Sequence, residues 1–449
     1  MGINIGFVST RFSGTDGVSL EASKWAEVLR CNGHFIFWFA GETDRPADCT
    51  CLVPEAHFQH ELNDRINRQV FGRLGRTPML TESIHTLRSL LKMRLHEFFS
   101  RYSIDLLIVE NALAIPMHVP LGLALTEVIA ESRIPTIAHH HDFHWERTRY
   151  AVNAVGDYLT MAFPPSLPDM THVVINTEAR EQLALRSGLA GVVIPNVLNF
   201  EHPPRIDPDR TAAFRKSIGL NPEDRMILQP TRIVQRKGVE HAVALVKALD
   251  DPRNKLVISH EAGDEGYEYV DWLKAYARKN GVDLRLVSSR LKDPWSCSDS
   301  PDNTCSLWDI YPHADFVTYP SLLEGFGNAF LEAIYFKKPI LVNRYSVFIK
   351  DIEPLGFDLA VMDGFLTGET VDRVQSILQS PKRRKAMVDH NYAVAARHFS
   401  YDVLRRGLDN LLPGLLGETV APLSETPERD DTREYPLNAT VSQPVSQVL

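Results

Sequence analysis

The 449-residue chain contains no run of about 18 apolar residues, the length that a membrane-spanning helix needs. Its first ten residues, MGINIGFVST, lack the basic start and long apolar stretch of a signal peptide and are typical of a buried strand. Its cysteines are few and odd in number, which suits a reducing compartment: Cys31, Cys49, Cys51, Cys297 and Cys305. We therefore expect a cytoplasmic protein.

An excess of positive charge is also missing. The formal net charge is −9, which argues against nucleic acid as the main partner, because a phosphate backbone favours basic protein surfaces. The spacing of Cys49 and Cys51 does not form a C-x-x-C pair, and no histidine lies near Cys297 or Cys305. We expect no metal site.

What the chain has is a regular alternation of short apolar segments with longer helical patterns. Such alternation indicates parallel sheets flanked by helices, the α/β class. About eleven strands are too many for one open sheet, so two doubly wound, Rossmann-like domains are expected. The strand segments are INIGFVS, FIFWFAG, DLLIVE, IPTIAHHH, HVVIN, GVVIPN, MILQP, KLVISH, LRLVSS, DFVTYP and PILVN.

The domain boundary is predicted in VVIPNVLNFEHPPRIDPDR, where prolines interrupt the pattern before a fresh cycle begins. The first domain would cover residues 1–196 and the second residues 197–399. SYDVLRRGLDNLLPGLL then predicts an amphipathic helix over about 400–417. The segment 418–449, rich in Pro, Thr, Ser and charge, is predicted to be disordered.

One segment of the first domain, residues 65–101, is unusually basic and also carries apolar residues at helical spacing. A basic amphipathic helix can lie on an anionic membrane. The alternative, which we favour, is a solvated face over the domain core.

Ligands bind at the carboxyl ends of the strands in such sheets, so the residues after each strand were considered in turn. After the first strand, Gly14 and Gly17 lie in a loop and a helix is predicted from about Ser19. The amides of a helix start can hold an anion. The spacing is not G-x-G-x-x-G, so a dinucleotide site is poorly supported, and an ordinary strand–helix turn is the alternative.

The sequence HHHDFHWER follows IPTIA and crowds histidines with acids. Side chains alternate along a strand, so His139 and His141 would share one face and His140 the other. A metal pair there lacks a clear third ligand. A polar histidine at the edge of a cleft, bonding a substrate hydroxyl, is the better interpretation, and a structural histidine cluster is the alternative.

After MILQP, Arg232 and Lys237 precede a helix with apolar Val239, Ala242 and Val243. Two cations beside a helix N-terminus suit a diphosphate. Taken alone, such a pair is more often a solvated surface.

After DFVTYP comes PSLLEGFGNAFLEA, in which Glu324 and Glu332 flank glycines and a helix start near Asn328. Gly325 and Gly327 allow close backbone approach, and a carboxylate can accept two hydrogen bonds from vicinal hydroxyls. Two such acceptors around amides fit a sugar–diphosphate–ribose ligand, with one acid on the sugar and the other on the ribose.

The stretch EGFGNAFLE resembles the E-x7-E motif of retaining GT-B glycosyltransferases, especially glycosyltransferase family 4. Further similar elements occur in the family's order over about 400 residues: GTDGVS, Pro135 through His141-Asp142, Pro195-Asn196, Arg232 through Lys237-Gly238, and FKKPILVN. The resemblance implies the GT-B fold, with two Rossmann-like domains facing across a cleft and a final helix returning to the first domain. The chain departs from the family's pattern at PNVLNF, at NRYSVFIKDIEP and at the insertion DPWSCSDSPDNTC, residues 293–305.

The resemblance implies roles for five side chains. Arg232 and Lys237 would neutralise the leaving diphosphate. Glu324 would hold hydroxyls of the donor sugar and Glu332 those of the ribose. His141 would lie on the C6 side of the sugar, near the reacting carbon.

The resemblance also assigns backbone and acceptor contacts. Donor-binding positions would be Gly17, Phe326, Gly327, Asn328, Ala329 and Glu332. Acceptor-side candidates are Asp16, His139 and Asp142. Catalysis would retain the anomeric configuration by front-face substitution.

The expected enzyme is therefore a hexosyltransferase that uses a UDP- or GDP-sugar. No cofactor is required by the motifs, which do not imply Mg²⁺. The acceptor would be a small sugar, a sugar acid or a lipid; nucleic acid is not an expected partner, and a membrane surface is not favoured. The alternatives are a sugar-nucleotide epimerase or hydrolase of the same fold and a non-catalytic sugar-nucleotide-binding subunit.

Overall fold

The computed structural model describes residues 2–14, 16–203, 214–260, 268–287, 291–292, 305–306 and 310–417. The strands up to residue 193 are β1 (Asn4–Val8), β2 (Arg11–Phe12), β3 (Phe35–Ala40), β4 (Glu42–Thr43), β5 (Thr50–Leu52), β6 (Leu106–Glu110), β7 (Thr136–His140), β8 (Met170–Val174) and β9 (Gly191–Val193). Seven of them form a parallel sheet in the order β5-β3-β1-β6-β7-β8-β9, while β2 pairs with β4.

The later strands are β10 (Arg225–Gln229), β11 (Asn254–Ile258), β12 (Leu284–Leu286), β13 (Leu291–Lys292), β14 (Cys305–Ser306), β15 (Phe316–Tyr319), β16 (Ile340–Asn343) and β17 (Ala360–Met362). A second parallel sheet has the order β12-β11-β10-β15-β16-β17. The predicted α/β class with two parallel sheets is confirmed. Each of the eleven predicted segments contains a strand, whereas the short strands β2, β4, β5, β13, β14 and β17 were not predicted.

The helices are α1 (Gly17–Cys31), α2 (Glu61–Val70), α3 (Pro78–Tyr102), α4 (Val119–Ser132), α5 (Gly156–Ala162), α6 (Thr177–Ser187), α7 (Val239–Ala248), α8 (Glu268–Lys279), α9 (Asn328–Tyr335), α10 (Gly368–Gln379), α11 (Pro381–His398) and α12 (Tyr401–Leu416). Short 3-10 turns cover Ala47–Cys49, Pro54–Ala56, Pro116–His118, His144–Glu146, Thr148–Tyr150, Gln235–Lys237, Tyr311–His313 and Glu353–Leu355, and Phe348–Ile352 is a π-helical turn. None of the described helices is long and apolar enough to cross a bilayer.

The basic segment forms α2 and α3. The apolar face of α3 is buried, including Ile84, Leu91 and Leu95. On its other side Arg88 and Lys92 pair with Glu127 of α4 at 2.6 and 3.2 Å. A buried apolar face and paired cations favour the solvated-face interpretation over a membrane-bound helix.

The final helix α12 packs on α1 of the first sheet. Leu404 and Leu408 are fully buried in one core with Trp25. The Tyr401 hydroxyl donates a hydrogen bond to Glu27 at 2.9 Å. The end of the described chain therefore lies against the N-terminal sheet.

A second contact joins α6 to loops of the second sheet. Asn176 caps α6 by accepting from the Ala179 amide at 2.6 Å, and its Nδ2 donates to the Gly325 carbonyl at 2.5 Å. Asp351 accepts from the Thr177 amide at 2.8 Å, so the same helix start also receives a carboxylate from the other half. These contacts fix the position of the loop that carries Gly325.

Candidate active site

The carboxyl ends of the two sheets border a cavity of about 960 Å³. Residues that follow β1, β10 and β15 line it, as expected for parallel sheets. Ten of the thirteen candidate side chains or backbone positions lie on its wall: Asp16, Gly17, Arg232, Lys237, Glu324, Phe326, Gly327, Asn328, Ala329 and Glu332. The other three are His139, His141 and Asp142.

The start of α9 presents backbone amides to this cavity. Its N-cap is Gly327, whose φ of +119° lies in the region that L-residues rarely adopt, and no side chain caps the helix. The Tyr345 hydroxyl donates to the Phe326 carbonyl at 2.8 Å and holds the preceding peptide. The uncapped amides and the helix dipole favour an anion at this point.

The start of α1 differs. The helix begins at Gly17, two residues before the prediction, because Asp16 acts as its cap: Oδ1 accepts from the amides of Val18 and Ser19 at 3.1 Å. These amides are already satisfied by a carboxylate, so α1 is less suited than α9 to bind a phosphate. Gly17 itself lines the cavity.

Lys237 and Arg232 reach the cavity from the loop between β10 and α7. Lys237 donates to Glu324, and both side chains are about one-tenth exposed. Burial lowers the pKa of Lys237, and the charge of Glu324 opposes that shift. Arg232 is exposed and has no ion-pair partner among the described side chains. The loop therefore places three cations on the cavity wall: the paired Lys237, the exposed Arg232, and Arg236.

Glu332 lies within α9 and also lines the cavity. Its Oε2 accepts from the fully buried Tyr311 hydroxyl at 2.6 Å. Burial raises the pKa of Glu332, while the Tyr311 hydrogen bond opposes the shift. The carboxyl is thus held in one orientation at the cavity wall.

Glu110, the last residue of β6, contacts two of the three consecutive histidines His139, His140 and His141. Oε2 of this fully buried carboxylate lies 2.9 Å from His139 Nδ1 and 3.1 Å from His141 Nε2. His140 points to the other face and meets His172 at 2.9 Å. The ligand atoms of Glu110, His139 and His141 lie within 4.8 Å of one another, so the structure supplies the third potential metal ligand that the sequence pattern lacked.

The Glu110 carboxylate and the imidazoles of His139 and His141 shift one another's pKa values. Burial alone would raise the pKa of Glu110, but the charges and hydrogen bonds of the imidazoles lower it to about 2. Burial lowers the pKa of His139, against the opposing charge of Glu110. Burial also acts to lower the pKa of His141, but the bond and charge of Glu110 outweigh it and raise the pKa. A proton shared in this cluster is therefore held more readily by His141 than by His139.

The other three candidates, His139, His141 and Asp142, do not line the cavity. His139 is 1% exposed, and its ring stacks on Trp25 with the ring centres 4.3 Å apart. The His141 backbone faces the Gly325 loop, because a Cβ at Gly325 would lie 3.3 Å from the His141 carbonyl oxygen. Asp142 accepts a hydrogen bond from the side-chain amide of Asn111 at 2.9 Å and forms an ion pair with Arg147.

Several site residues were missed by the sequence analysis. Glu110 carries a recognisable signal, since it is a carboxylate at the end of a buried strand. His260 follows β11 and lines the cavity; burial and nearby cations lower its pKa to about 4. Arg11, Glu42 and Asp44 also line it, and no local pattern marks them. The insertion 293–305 falls outside the described residues except at its last position, and the tail 418–449 lies wholly outside them.

No family model matches the chain. Mannosylglucosylglycerate synthase of Thermotoga maritima is 32% identical over 424 residues, covering 87% of this chain and 95% of that protein. The synthase of the same name from Petrotoga mobilis is 33% identical over 380 residues, covering 80% and 86%. A solved glycosyltransferase structure from Rickettsia africae matches with a TM-score of 0.67 at 13% identity, covering 93% of this chain and 100% of that one.

Two parallel α/β sheets around a shared cleft, together with this structural likeness, define the GT-B fold. The similarity to the two synthases shows that the chain is a glycosyltransferase. The chain is an enzyme of that class. It belongs to the glycosyltransferase family that includes the mannosylglucosylglycerate synthases.

Proposed function

We propose that this enzyme transfers a mannosyl group from a nucleotide-diphosphate mannose, carried by UDP or GDP, to a hydroxyl of glucosylglycerate. The sugar and the acceptor follow from the names of the relatives that cover most of the chain. The observation that carries the nucleotide-diphosphate donor is the meeting of Arg232 and Lys237 with the uncapped start of α9 in one cavity. Two cations and free amides together match a diphosphate.

The reaction proposed is front-face substitution with retention, as in glycosyltransferase family 4. The bond between the anomeric carbon and the phosphate oxygen breaks, and the acceptor oxygen bonds to that carbon on the same face. The acceptor proton passes to the leaving phosphate oxygen. Glu324 supports this scheme because it is already paired with Lys237, which makes it a poor free base or nucleophile.

The protein contributes charge stabilisation and positioning. Arg232 and the α9 amides would meet the negative charge that builds on the leaving diphosphate, and groups fixed in advance do so without reorganising solvent. Lys237 would shift part of its interaction from Glu324 to the diphosphate. Glu324 would then hold donor hydroxyls, and Glu332 those of the ribose.

His141 would lie near the sugar's C6 side, held by the Glu110 carboxylate that also contacts His139. We propose that no cofactor is required, since cations of the chain itself can meet the charge of the leaving group. A chelator should then leave turnover unchanged.

A direct assay tests the function. The purified protein is incubated with UDP- and GDP-sugars, with and without glucosylglycerate, while nucleotide release is followed and the product's anomeric configuration is read by NMR. Release that depends on the acceptor, with a retained anomer, is expected. Acceptor-independent release of free sugar or its epimer would instead support the hydrolase or epimerase alternative, and binding without release would support a non-catalytic subunit.

A further inference from the structure

The wall of the cavity contributed by the N-terminal half carries charges that the donor does not use. Arg11, Ser13, Glu42 and Asp44 line it. The short strands β2 and β4 pair Arg11 with Glu42, so the loops after β1 and β3 are joined through their backbones. The strand pairing therefore fixes the backbone of this wall, which lies opposite the donor cations Arg232 and Lys237.

Arg11 is held in place without being fully neutralised. One nitrogen, Nη2, contacts Asp16 Oδ2 at 3.1 Å, and the guanidinium lies 5.3 Å from the centre of the Phe58 ring. The same Asp16 oxygen also accepts from the Ser19 hydroxyl at 2.7 Å, and its other oxygen caps α1. Because Asp16 is shared among these donors and a guanidinium has five N–H groups, most of the Arg11 fork remains available. The side chain is 33% exposed.

Acidic groups surround this cation. The Ser13 hydroxyl donates to Glu42 at 2.5 Å, and the Gly14 amide donates to Asp44 at 3.3 Å, which fixes one oxygen of each carboxylate. His57 Nε2 lies 3.4 Å from the other Glu42 oxygen, and Arg45 Nη1 lies 3.4 Å from the other Asp44 oxygen. The lone pairs that remain can accept hydroxyl hydrogen bonds. Among the described residues of this wall, Arg11 is the cation that lines the cavity, whereas Arg45 pairs with Asp44 and its guanidinium lies 4.9 Å from the centre of the Trp38 ring. An anionic group of a ligand on this wall is therefore best placed beside Arg11.

We infer that Arg11 binds the carboxylate of an acidic sugar acceptor, while Glu42 and Asp44 accept hydrogen bonds from its sugar hydroxyls. A guanidinium fork matches a carboxylate in a way that the ammonium group of lysine does not. Arg11 thereby determines the preference for an acidic over a neutral acceptor. The inference rests on the proposed function, which supplies glucosylglycerate as the acceptor.

The test compares glucosylglycerate with glucosylglycerol, which has a neutral hydroxymethyl group in place of the carboxylate. The wild type should prefer the acid in kcat/KM by about 10- to 100-fold, the range of a hydrogen-bonded charge. Arg11→Gln should abolish this preference and change kcat/KM for glucosylglycerol only a few-fold. Arg11→Lys should keep part of the preference.

Arg133→Gln is the matched control. Arg133 precedes the amino-terminal end of β7 in the same sheet, whereas the cavity lies at the carboxyl ends of the strands; Arg133 is exposed and pairs with Asp169 at 2.5 Å. This variant should keep the full preference. Melting temperatures of all variants, with and without nucleotide diphosphate, show whether the fold and the donor site are intact.

The outcomes separate the two proposals. If the wild type prefers the acid and Arg11→Gln retains that preference, the inference is wrong while the proposed function stands. Equal use of both acceptors by the wild type, or an equal loss on both in Arg11→Gln, also overturns the role of Arg11. If the wild type transfers to neither acceptor, the proposed function fails and the inference falls with it.

Discussion

Lys237 and Glu324 form an ion pair on the cavity wall, although they are separated by 87 positions in the chain. They come from the loops after β10 and β15, which are neighbours in the second sheet. Both side chains are about one-tenth exposed. A cation expected to bind phosphate and a carboxylate expected to bind sugar thus neutralise each other before any ligand arrives.

Breaking this pair should destabilise the unliganded enzyme. Glu324→Gln leaves Lys237 buried without a counter-charge, a change that typically costs about 3–5 kcal/mol of the free energy of unfolding. Glu324→Gln combined with Lys237→Met should recover much of that loss without recovering turnover. Urea unfolding and steady-state kinetics measure both quantities. A double variant no more stable than Glu324→Gln would contradict the ion-pair explanation.

Removing Arg232 should affect chemistry rather than folding. Arg232→Ala is expected to lower kcat about 10²–10³-fold, or about 3–4 kcal/mol, because a fixed cation on the leaving group is lost. The donor KM should change less. Arg253→Ala, at an exposed arginine in the same half that pairs with Asp251, should leave kcat unchanged. Normal turnover of Arg232→Ala in a clean kinetic assay would refute the assignment.

Gly327→Ala should damage the donor loop. At φ +119° an L-residue is strained, and the new Cβ would collide with the Tyr345 hydroxyl that holds the Phe326 carbonyl. We expect a loss of about 1–3 kcal/mol in unfolding free energy and weaker binding of nucleotide diphosphate. Gly368→Ala, where a Cβ meets nothing within 4 Å, is the control. Calorimetry showing equal affinity for Gly327→Ala and the wild type would contradict the expectation.

Asn176 should position the donor loop from the other half of the molecule. Asn176→Ser retains an N-cap for α6 but loses the amide donor to the Gly325 carbonyl. Stability should therefore fall by less than about 1 kcal/mol, while donor KM rises. Asn176→Ala should lose the cap as well, at about 0.5–2 kcal/mol. Identical donor KM values for Asn176→Ser and wild type would show that the bond to Gly325 has no positioning role.

Glu110→Gln should remove a pH-dependent part of the stability. The lowered pKa of Glu110 stabilises the fold above its unfolded value, about 4.3, and this contribution is lost as pH falls toward 2. The raised pKa of His141 stabilises the fold below its unfolded value, about 6.5, and this contribution is lost as pH rises through the folded value. The difference in unfolding free energy between wild type and Glu110→Gln should thus be largest between about pH 4.3 and 6.5.

Urea unfolding across pH 3 to 9, each value set by buffer, measures this difference. Glu61→Gln, which alters an exposed pair with Arg65 on α2, is the control and should give a small, flat difference. A flat difference for Glu110→Gln as well would show that the two imidazoles do not depend on this carboxylate.

Local patterns predicted most of the fold. The eleven apolar segments each contain a strand, because a buried parallel strand needs a continuous apolar run that is visible in its own residues. Glu324, Gly327 and Glu332 could be placed around one helix start because all three lie in one strand–loop–helix joint. The helix α1 begins at Gly17, two residues before the predicted start at Ser19, because the Asp16 side chain caps it.

The sequence by itself determined the two-sheet class, the E-x7-E joint and the cations after β10, since each depends on spacing within one short segment. Tertiary structure decided which of these groups meet. Glu110 reaches His139 and His141 because β6 and β7 are adjacent, and Arg11 joins Glu42 because β2 pairs with β4. Strand order arises from packing between distant segments, so these partnerships leave no mark in the local sequence.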